Sequence, residues 1–271
     1  MIYKPMTQTN EFKDVAVQAA KQAGEVIKEN FGQVRDVRIK HGNWKDLVTN
    51  IDLKTNEMIL KILKEKFPDH GIISEEAKPV EGNDYVWYVD PLDGTTNYTM
   101  AMPFSATCIG LMFKDKPILG VVYNPMIDEM FVGEDGKGAT LNGKEIRISG
   151  NDDLKKTIVT FCHLDNEDNV RTIESMFSYF KSNARDFRKL GAGNLEICYV
   201  GCGRNDVYMR PDNIAPHDVV PSYIVAKEAG AMITDWKGNP WTLDSKNLLV
   251  TNGTKLHKEM IDIIDRLVGK K

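Results

Sequence analysis

Apolar residues recur at helical spacing near the N-terminus. Phe12, Val15, Ala19, Ala23, Val26 and Ile27 share one face of the stretch from Glu11 to Phe31, with charged residues between them. This pattern predicts an amphipathic opening helix. A second helix is expected from about Leu53 to Phe67, with Met58, Ile59, Ile62 and Leu63 inward, and Pro68 to Gly71 stops it. Tyr85 to Val89 is a short aromatic and β-branched run, which reads as a strand buried on both faces. After Phe104 the period changes to short strands, "SATCIGLMF", "PILGVVYNP", "EMFVGE" and "ATLNGKEIRIS", so an antiparallel sheet is expected with Asn142-Gly143 as a hairpin turn. From about Thr157 strand and helix alternate again, with helices near 169–182 and 194–202.

No linker, internal repeat or low-complexity segment interrupts these elements. The pattern therefore predicts an α+β chain forming one domain over residues 1–271, with two interlocked lobes of about 1–150 and 151–271. A chain of 271 residues can bury a sizeable core. The net charge of −4, with both signs interspersed, leaves no basic footprint for nucleic acid and no polybasic anchor for a membrane. No apolar run is long enough to span a bilayer, and the first residues lack the apolar stretch of a signal peptide, so a cytoplasmic location is expected. Cys108, Cys162, Cys198 and Cys202 form no C-x-x-C pair, which favours buried free thiols over a disulfide or zinc site.

The chemistry gathers at the ends of apolar runs. Four segments carry carboxylates there: "DLVTNID" with Asp46 and Asp52, "GIISEE" with Glu75 and Glu76, "VDPLDGTT" with Asp90 and Asp93, and "APHDVV" with Asp218. A lone aspartate at such a position is usually a turn former or helix cap, and Asp52 is read as the cap of the helix beginning near Leu53. Converging carboxylates would repel one another and stay partly protonated unless cations enter. An all-oxygen set without a His or Cys cluster favours Mg²⁺, with Mn²⁺ or Ca²⁺ as competitors. Gly94-Thr95-Thr96 follows the second aspartate, where a helix start would offer outward N–H groups to a phosphate.

These residues resemble the inositol monophosphatase family of Mg²⁺-dependent, lithium-sensitive sugar phosphatases. The signature W-x-x-D-P-(I/L)-D-G-T-x-N-(F/Y) is met by Trp87, Asp90, Pro91, Leu92, Asp93, Gly94, Thr95, Asn97 and Tyr98. "DLVTNID", "FPDHGIISEE" and "GKGATLNGKEIRIS" resemble further family segments, and the likeness runs over about residues 11 to 265. It implies a layered α-β-α-β-α sandwich, a homodimer, and two to three metal ions. Glu75, Asp90 and the Leu92 carbonyl would hold one ion, Asp90, Asp93 and Asp218 a second, and Glu75 with waters a third. Thr95, hydrogen-bonded to Asp46, would orient or deprotonate a metal-bound water, and the N–H groups of Gly94 and Thr95 would hold the phosphate. Glu76 and Thr96 are expected beside these ligands.

The chain departs from the family at the second signature, "PHDVVPSYIVAKEAGA", where His217 stands in place of tryptophan ahead of Asp218. His217 is read either as a contact to ligand or substrate or as packing. Arg210 lies near the position where inositol-selective members carry an acid. Facing the site, it would prefer an anionic substrate; facing solvent, it is neutral on substrate choice. Arg185, Arg188 and Lys189 read as a solvated charge run, with a phosphate contact as the alternative. The expected activity is hydrolysis of a small phosphorylated metabolite. Inositol 1-phosphate leads, and fructose 1,6-bisphosphate, histidinol phosphate, NADP and 3′-phosphoadenosine phosphate are alternatives. A non-catalytic protein that binds metal or phosphate is the rival from another class.

Overall fold

A computed structural model describes residues 6–33, 36–40, 42–162, 167–211 and 214–268. Helix α1 (Met6–Glu29) is followed by the hairpin β1 (Val37–Lys40) and β2 (Asn43–Thr49), then α2 (Asn50–Lys66), β3 (Gly71–Ser74), β4 (Tyr85–Asp93) and the short α3 (Thr95–Thr99). An antiparallel run continues with β5 (Ala106–Phe113), β6 (Lys116–Asn124), β7 (Glu129–Glu134), β8 (Gly138–Leu141) and β9 (Lys144–Glu145). The second half contains β10 (Ile158–Phe161), α4 (Glu167–Asn183), β11 (Asp186–Arg188), α5 (Gly193–Gly201), β12 (Val207–Arg210), α6 (Val220–Glu228), β13 (Met232–Thr234), β14 (Leu248–Thr251) and α7 (Leu256–Val268). Both opening helices start a few residues earlier than their apolar periodicity suggests. Thr49 caps α2, its hydroxyl accepting the Ile51 and Asp52 N–H groups. The hairpin turn at Asn142-Gly143 forms as expected, with φ of 51° and 76°.

Two sheets organise these elements. Strands β3 to β9 form a seven-stranded sheet in chain order, and a five-stranded sheet runs β11-β10-β12-β14-β13. Alternation assigns their faces. In β6, Leu119 and Val121 pack with Phe12, Ala16 and Ile59 of α1 and α2, whereas Val122 turns the other way, to Leu195 and Val225 of α5 and α6. In β12, Tyr208 faces Ile197 and Val220, while Val207 and Met209 face Phe180 and Ile263 of α4 and α7. The result is the α-β-α-β-α sandwich, with α5 and α6 as the central layer.

The central layer lies unusually close to the first sheet. Gly110, Gly120 and Gly133 are register neighbours on β5, β6 and β7. A Cβ on Gly120 would lie 1.9 Å from the Pro221 carbonyl oxygen, one on Gly133 2.6 Å from Val225 Cα, and one on Gly110 2.9 Å from the Pro221 nitrogen. The three glycines make a trough for α6 that no side chain could share. Because α6 begins two residues after Asp218, this trough also sets where that aspartate stands.

Candidate active site

Strand β4 brings the first two carboxylates together. Residues three apart in a regular strand point to opposite faces. Here the pairing of β4 with β5 slips: Asp90 opposes Cys108 and Asp93 opposes Ala106, so β4 holds one extra residue. Pro91, which has no N–H for the ladder, lies in that bulge. The bulge returns Asp90 and Asp93 to the same side, where ligand atoms of both and Cys108 Sγ lie within 4.8 Å of one another.

Neighbouring elements supply the rest. β3 runs parallel to β4 and ends at Ser74, so Glu75, whose N–H donates to Val89 C=O (3.1 Å), stands beside Asp90. The N-terminus of α5 holds Asp93: the Gly193 N–H donates to Oδ1 (3.1 Å) and the Asn194 N–H to Oδ2 (2.7 Å). Asp218 enters from the 3₁₀ turn Pro216–Asp218. Burial first, then the charges of Glu75, Asp93 and Asp218, hold Asp90 well above the ordinary carboxylate range. Asp93 is pushed up to about 7 by burial and by Asp218, against the pull of the two α5 amides. Such a cluster favours either protons or a cation.

The donor set fits a hard divalent ion. All the converging groups are carboxylates apart from the Cys108 thiol, which burial and the adjacent aspartates push well above its usual value, so it is a poor ligand at neutral pH. Leu92 N–H donates to Asp90 Oδ1 (3.1 Å), and its carbonyl oxygen lies 3.0 Å from Thr95 Oγ1, an alternative acceptor to Asp52 for the one hydroxyl hydrogen. The Leu92 oxygen thus lies at the turn between the two aspartates, with a second lone pair left over.

Thr95 does not pair with Asp46. Its hydroxyl donates to Asp52 Oδ1 at 3.0 Å, and Asp46 is a half-buried residue of β2. The reason is the local fold at the start of α2. As N3 residue of a capping box, Asp52 accepts the Thr49 N–H (2.9 Å) and the Thr49 hydroxyl with Oδ2, which leaves Oδ1 aimed at Thr95. The N-cap is therefore Thr49 and not Asp52, which sits one turn inside the helix as the N3 residue of the capping box and is the partner of Thr95. Burial raises its pKa, partly offset by the Thr49 and Thr95 hydrogen bonds.

Gly94 has φ of 89°, and a Cβ there would meet Phe104 O at 3.0 Å and Ala192 Cβ at 3.1 Å. The first helical bond of α3 is Tyr98 N–H to Gly94 C=O (3.0 Å), so the N–H groups of Thr95 and Thr96 have no partner within the helix. Thr96 is exposed beside them, at a cleft of about 610 Å³ also lined by Trp44, Lys45, Cys162 and Lys189. Lys189 was read by default as solvated charge, and it stands at this cleft.

Two cations lie within the acidic cluster. Lys40, absent from the sequence reading, reaches from β1 to Glu75 Oε1 (2.6 Å) and to Glu76 Oε1. Burial pulls its pKa down, but Glu75 and Glu76 outweigh that and raise it. Glu76 itself is raised by burial. Arg210 is buried at the end of β12 rather than facing solvent, and its Nη1 donates to Asp218 Oδ2 (3.0 Å). His217 Nε2 is 3.7 Å from Asp218 Oδ1, and its buried Nδ1 has no hydrogen-bond partner among the described residues. A tip-of-hairpin lysine gives no sequence signal for this reach, because its contact depends on how β1 and β2 fold over β3.

Carboxylates from three elements, gathered between two sheets beside a hydroxyl–carboxylate pair, are the equipment of a metal-dependent phosphoesterase. The comparisons narrow the class: residues 8–268 match the model of the inositol monophosphatase family, and the chain belongs to it. It is accordingly a phosphomonoesterase hydrolase of a family whose activity depends on divalent metal. It is 39% identical over 249 residues to inositol monophosphatase 3 of Solanum lycopersicum, covering 89% of this chain and 92% of that one. It is 31% identical to the Nus factor SuhB of Pasteurella multocida, covering 94% and 96% of the two chains. The IMPase structure of Thermotoga maritima superposes with a TM-score of 0.88 at 31% identity, over 96% of this chain and 99% of that one.

Proposed function

We propose that this enzyme hydrolyses a small phosphate monoester with Mg²⁺, using Glu75, Asp90, Leu92 C=O, Asp93 and Asp218 as ligands and the Thr95–Asp52 pair to direct the attacking water. The observation that carries the reading is that pair, 3.0 Å long, set beside a buried carboxylate cluster. Bound metal would activate water and neutralise charge on the phosphate and the leaving oxygen. Thr95 donates its hydroxyl hydrogen to Asp52, so a lone pair of its oxygen is turned outward to accept a proton. Asp52, its pKa raised by burial, can take up the threonine's own proton in exchange. The N–H groups of Gly94 and Thr95 would hold the phosphate. A protein that only bound metal or phosphate would have no use for the Thr95–Asp52 pair, which favours catalysis over that rival.

Substrate choice turns on Arg210. Inositol 1-phosphate remains the reference substrate by likeness to the relatives. A guanidinium buried at Asp218 favours a leaving group that carries a second anion, as in a bisphosphate or a phosphorylated acid. By the same likeness we read the protein as a cytoplasmic homodimer, inhibited by lithium and working with two or three ions. Its charge supports no nucleic-acid partner, although three relatives are named Nus factors. The test is phosphate release with Mg²⁺ from inositol 1-phosphate, fructose 1,6-bisphosphate, histidinol phosphate, NADP and 3′-phosphoadenosine phosphate, for wild type, Asp93→Asn and Arg210→Met. Asp93→Asn should abolish hydrolysis and keep the fold. Arg210→Met should lower kcat/KM for doubly anionic esters about tenfold or more relative to inositol 1-phosphate. An equal effect on every ester would remove Arg210 from substrate selection, and full turnover by Asp93→Asn would remove the metal assignment.

A further inference from the structure

Behind Asp93 lies a buried acid that the catalytic reading does not use. Glu196, on the first turn of α5, is fully buried. Its Oε1 accepts the Gly191 N–H (2.9 Å), the Leu190 N–H and the Thr160 hydroxyl also act on the carboxyl, and among the described residues its Oε2 has no hydrogen-bond partner. Asn205 lies against it, donating to the Glu196 carbonyl (3.2 Å) and to Thr160 Oγ1 (2.8 Å), and Asn205 Oδ1 is also buried without a partner. A fully buried carboxylate oxygen without a partner is costly if Glu196 is ionised. A proton on Glu196 removes that cost by removing the charge. Among the described residues the titratable groups near this carboxyl are Asp93 at the end of β4, Cys162 after β10 and Tyr208 on β12, with the cations Arg210 and Lys189 lying beyond Cys162.

The loop that Glu196 fastens is the one that seats Asp93. Gly191 packs against Asn97, whose side chain donates to Leu190 C=O (2.8 Å) and Phe104 C=O (2.8 Å). Two residues on, Gly193 and Asn194 present their N–H groups to Asp93. We propose that Glu196 is a positioning residue that acts as a neutral acid, locking the 190–194 loop so that its amides hold Asp93 in place. Ionising Glu196 puts an unmatched charge under this loop and loosens the cradle. Burial, together with the Asp93 charge and against several hydrogen bonds, carries the Glu196 pKa to about 8, so the acid is neutral at pH 7 and ionises in the mildly alkaline range.

The inference rests on the phosphatase reading only for its activity readout. The sign for stability is that of a raised carboxyl pKa: the proton is retained in the folded chain and lost in the unfolded one, so stability falls as pH rises towards 8. The experiment compares wild type with Glu196→Gln, which cannot ionise, in Mg²⁺-dependent kcat/KM and in melting temperature from pH 7 to 9.5. Wild type should lose about tenfold or more in kcat/KM across that range, whereas Glu196→Gln keeps its own pH 7 value. The part of the melting-temperature decline between pH 7 and 8.5 should also disappear in the variant. Parallel profiles for both proteins in both readouts overturn the proposal. If wild type hydrolyses none of the esters, the phosphatase reading fails while the melting curves still judge Glu196. Should the variant not fold, the carboxyl ¹³C shift of Glu196 in wild type decides: a protonated shift at pH 7 supports the proposal, and an ionised one overturns it.

Discussion

At the scale of residues, the signature divides into chemistry and carpentry. Asp90, Asp93, Gly94 and Thr95 line the site, whereas Trp87 is buried, donates to His70 Nδ1 (3.0 Å) and stacks on Phe67. Tyr98 ties α3 to the Ile27 carbonyl (2.8 Å), and Asn97 staples the two halves of the chain. The motif made these positions legible. It did not separate Asp46 from Asp52, because both belong to one matched segment and only the capping box decides which carboxylate turns to Thr95. Asp52→Asn should lower kcat by about 10²–10⁴ while keeping metal affinity, as expected for a lost proton acceptor. Asp46→Asn should stay within about threefold of wild type on the same scale. Steady-state rates with a metal titration of both variants check this, and a larger loss in Asp46→Asn would restore the reading that paired it with Thr95.

At the scale of elements, periodicity revealed the helices and hairpins but not how closely they approach. Gly110, Gly120 and Gly133 are scattered along the chain, and only the register of β5, β6 and β7 makes them one trough. Nor could the pattern show that the Pro91 bulge reverses the phase of Asp93. Gly120→Ala must push α6 off the sheet, since its Cβ would sit 1.9 Å from Pro221 O. An overpacking cost of about 3 kcal/mol is expected in urea unfolding. Because α6 carries Asp218 at its entry, Mg²⁺ affinity should fall as well, and isothermal titration would show it. Gly150→Ala, where a Cβ meets nothing within 4 Å and the backbone is not left-handed, is the control for glycine loss as such.

At the scale of the whole molecule, a modest net charge of −4 conceals a strong local imbalance. In metal-free protein, Asp93 keeps its proton up to about pH 7, whereas the unfolded chain releases it near the ordinary value of 3.8. Stability in EDTA should therefore fall as pH rises between those values, and Asp90 acts in the same direction. Divalent metal should stabilise more at pH 8 than at pH 5, because binding displaces these protons. Melting temperatures with EDTA and with Mg²⁺ across that range test this, and a Mg²⁺ effect independent of pH would count against the cluster as the metal site. The direction taken by Arg210 was likewise closed to sequence reading, since it follows from the pairing of β12 with β14.

Lys40 and Arg210 have a further consequence. Each is a positive charge fixed to the chain and already seated on a carboxylate, one on Glu75 and Glu76, the other on Asp218. The acids can then be brought together while the chain folds, ahead of any ion. With the ligands proposed above, metal loading would be an exchange, in which an incoming ion competes with built-in partners instead of entering an empty cage. Metal affinity would then be the difference between two occupants, so loosening the β1–β2 hairpin that carries Lys40 would tighten metal binding without altering a single proposed ligand.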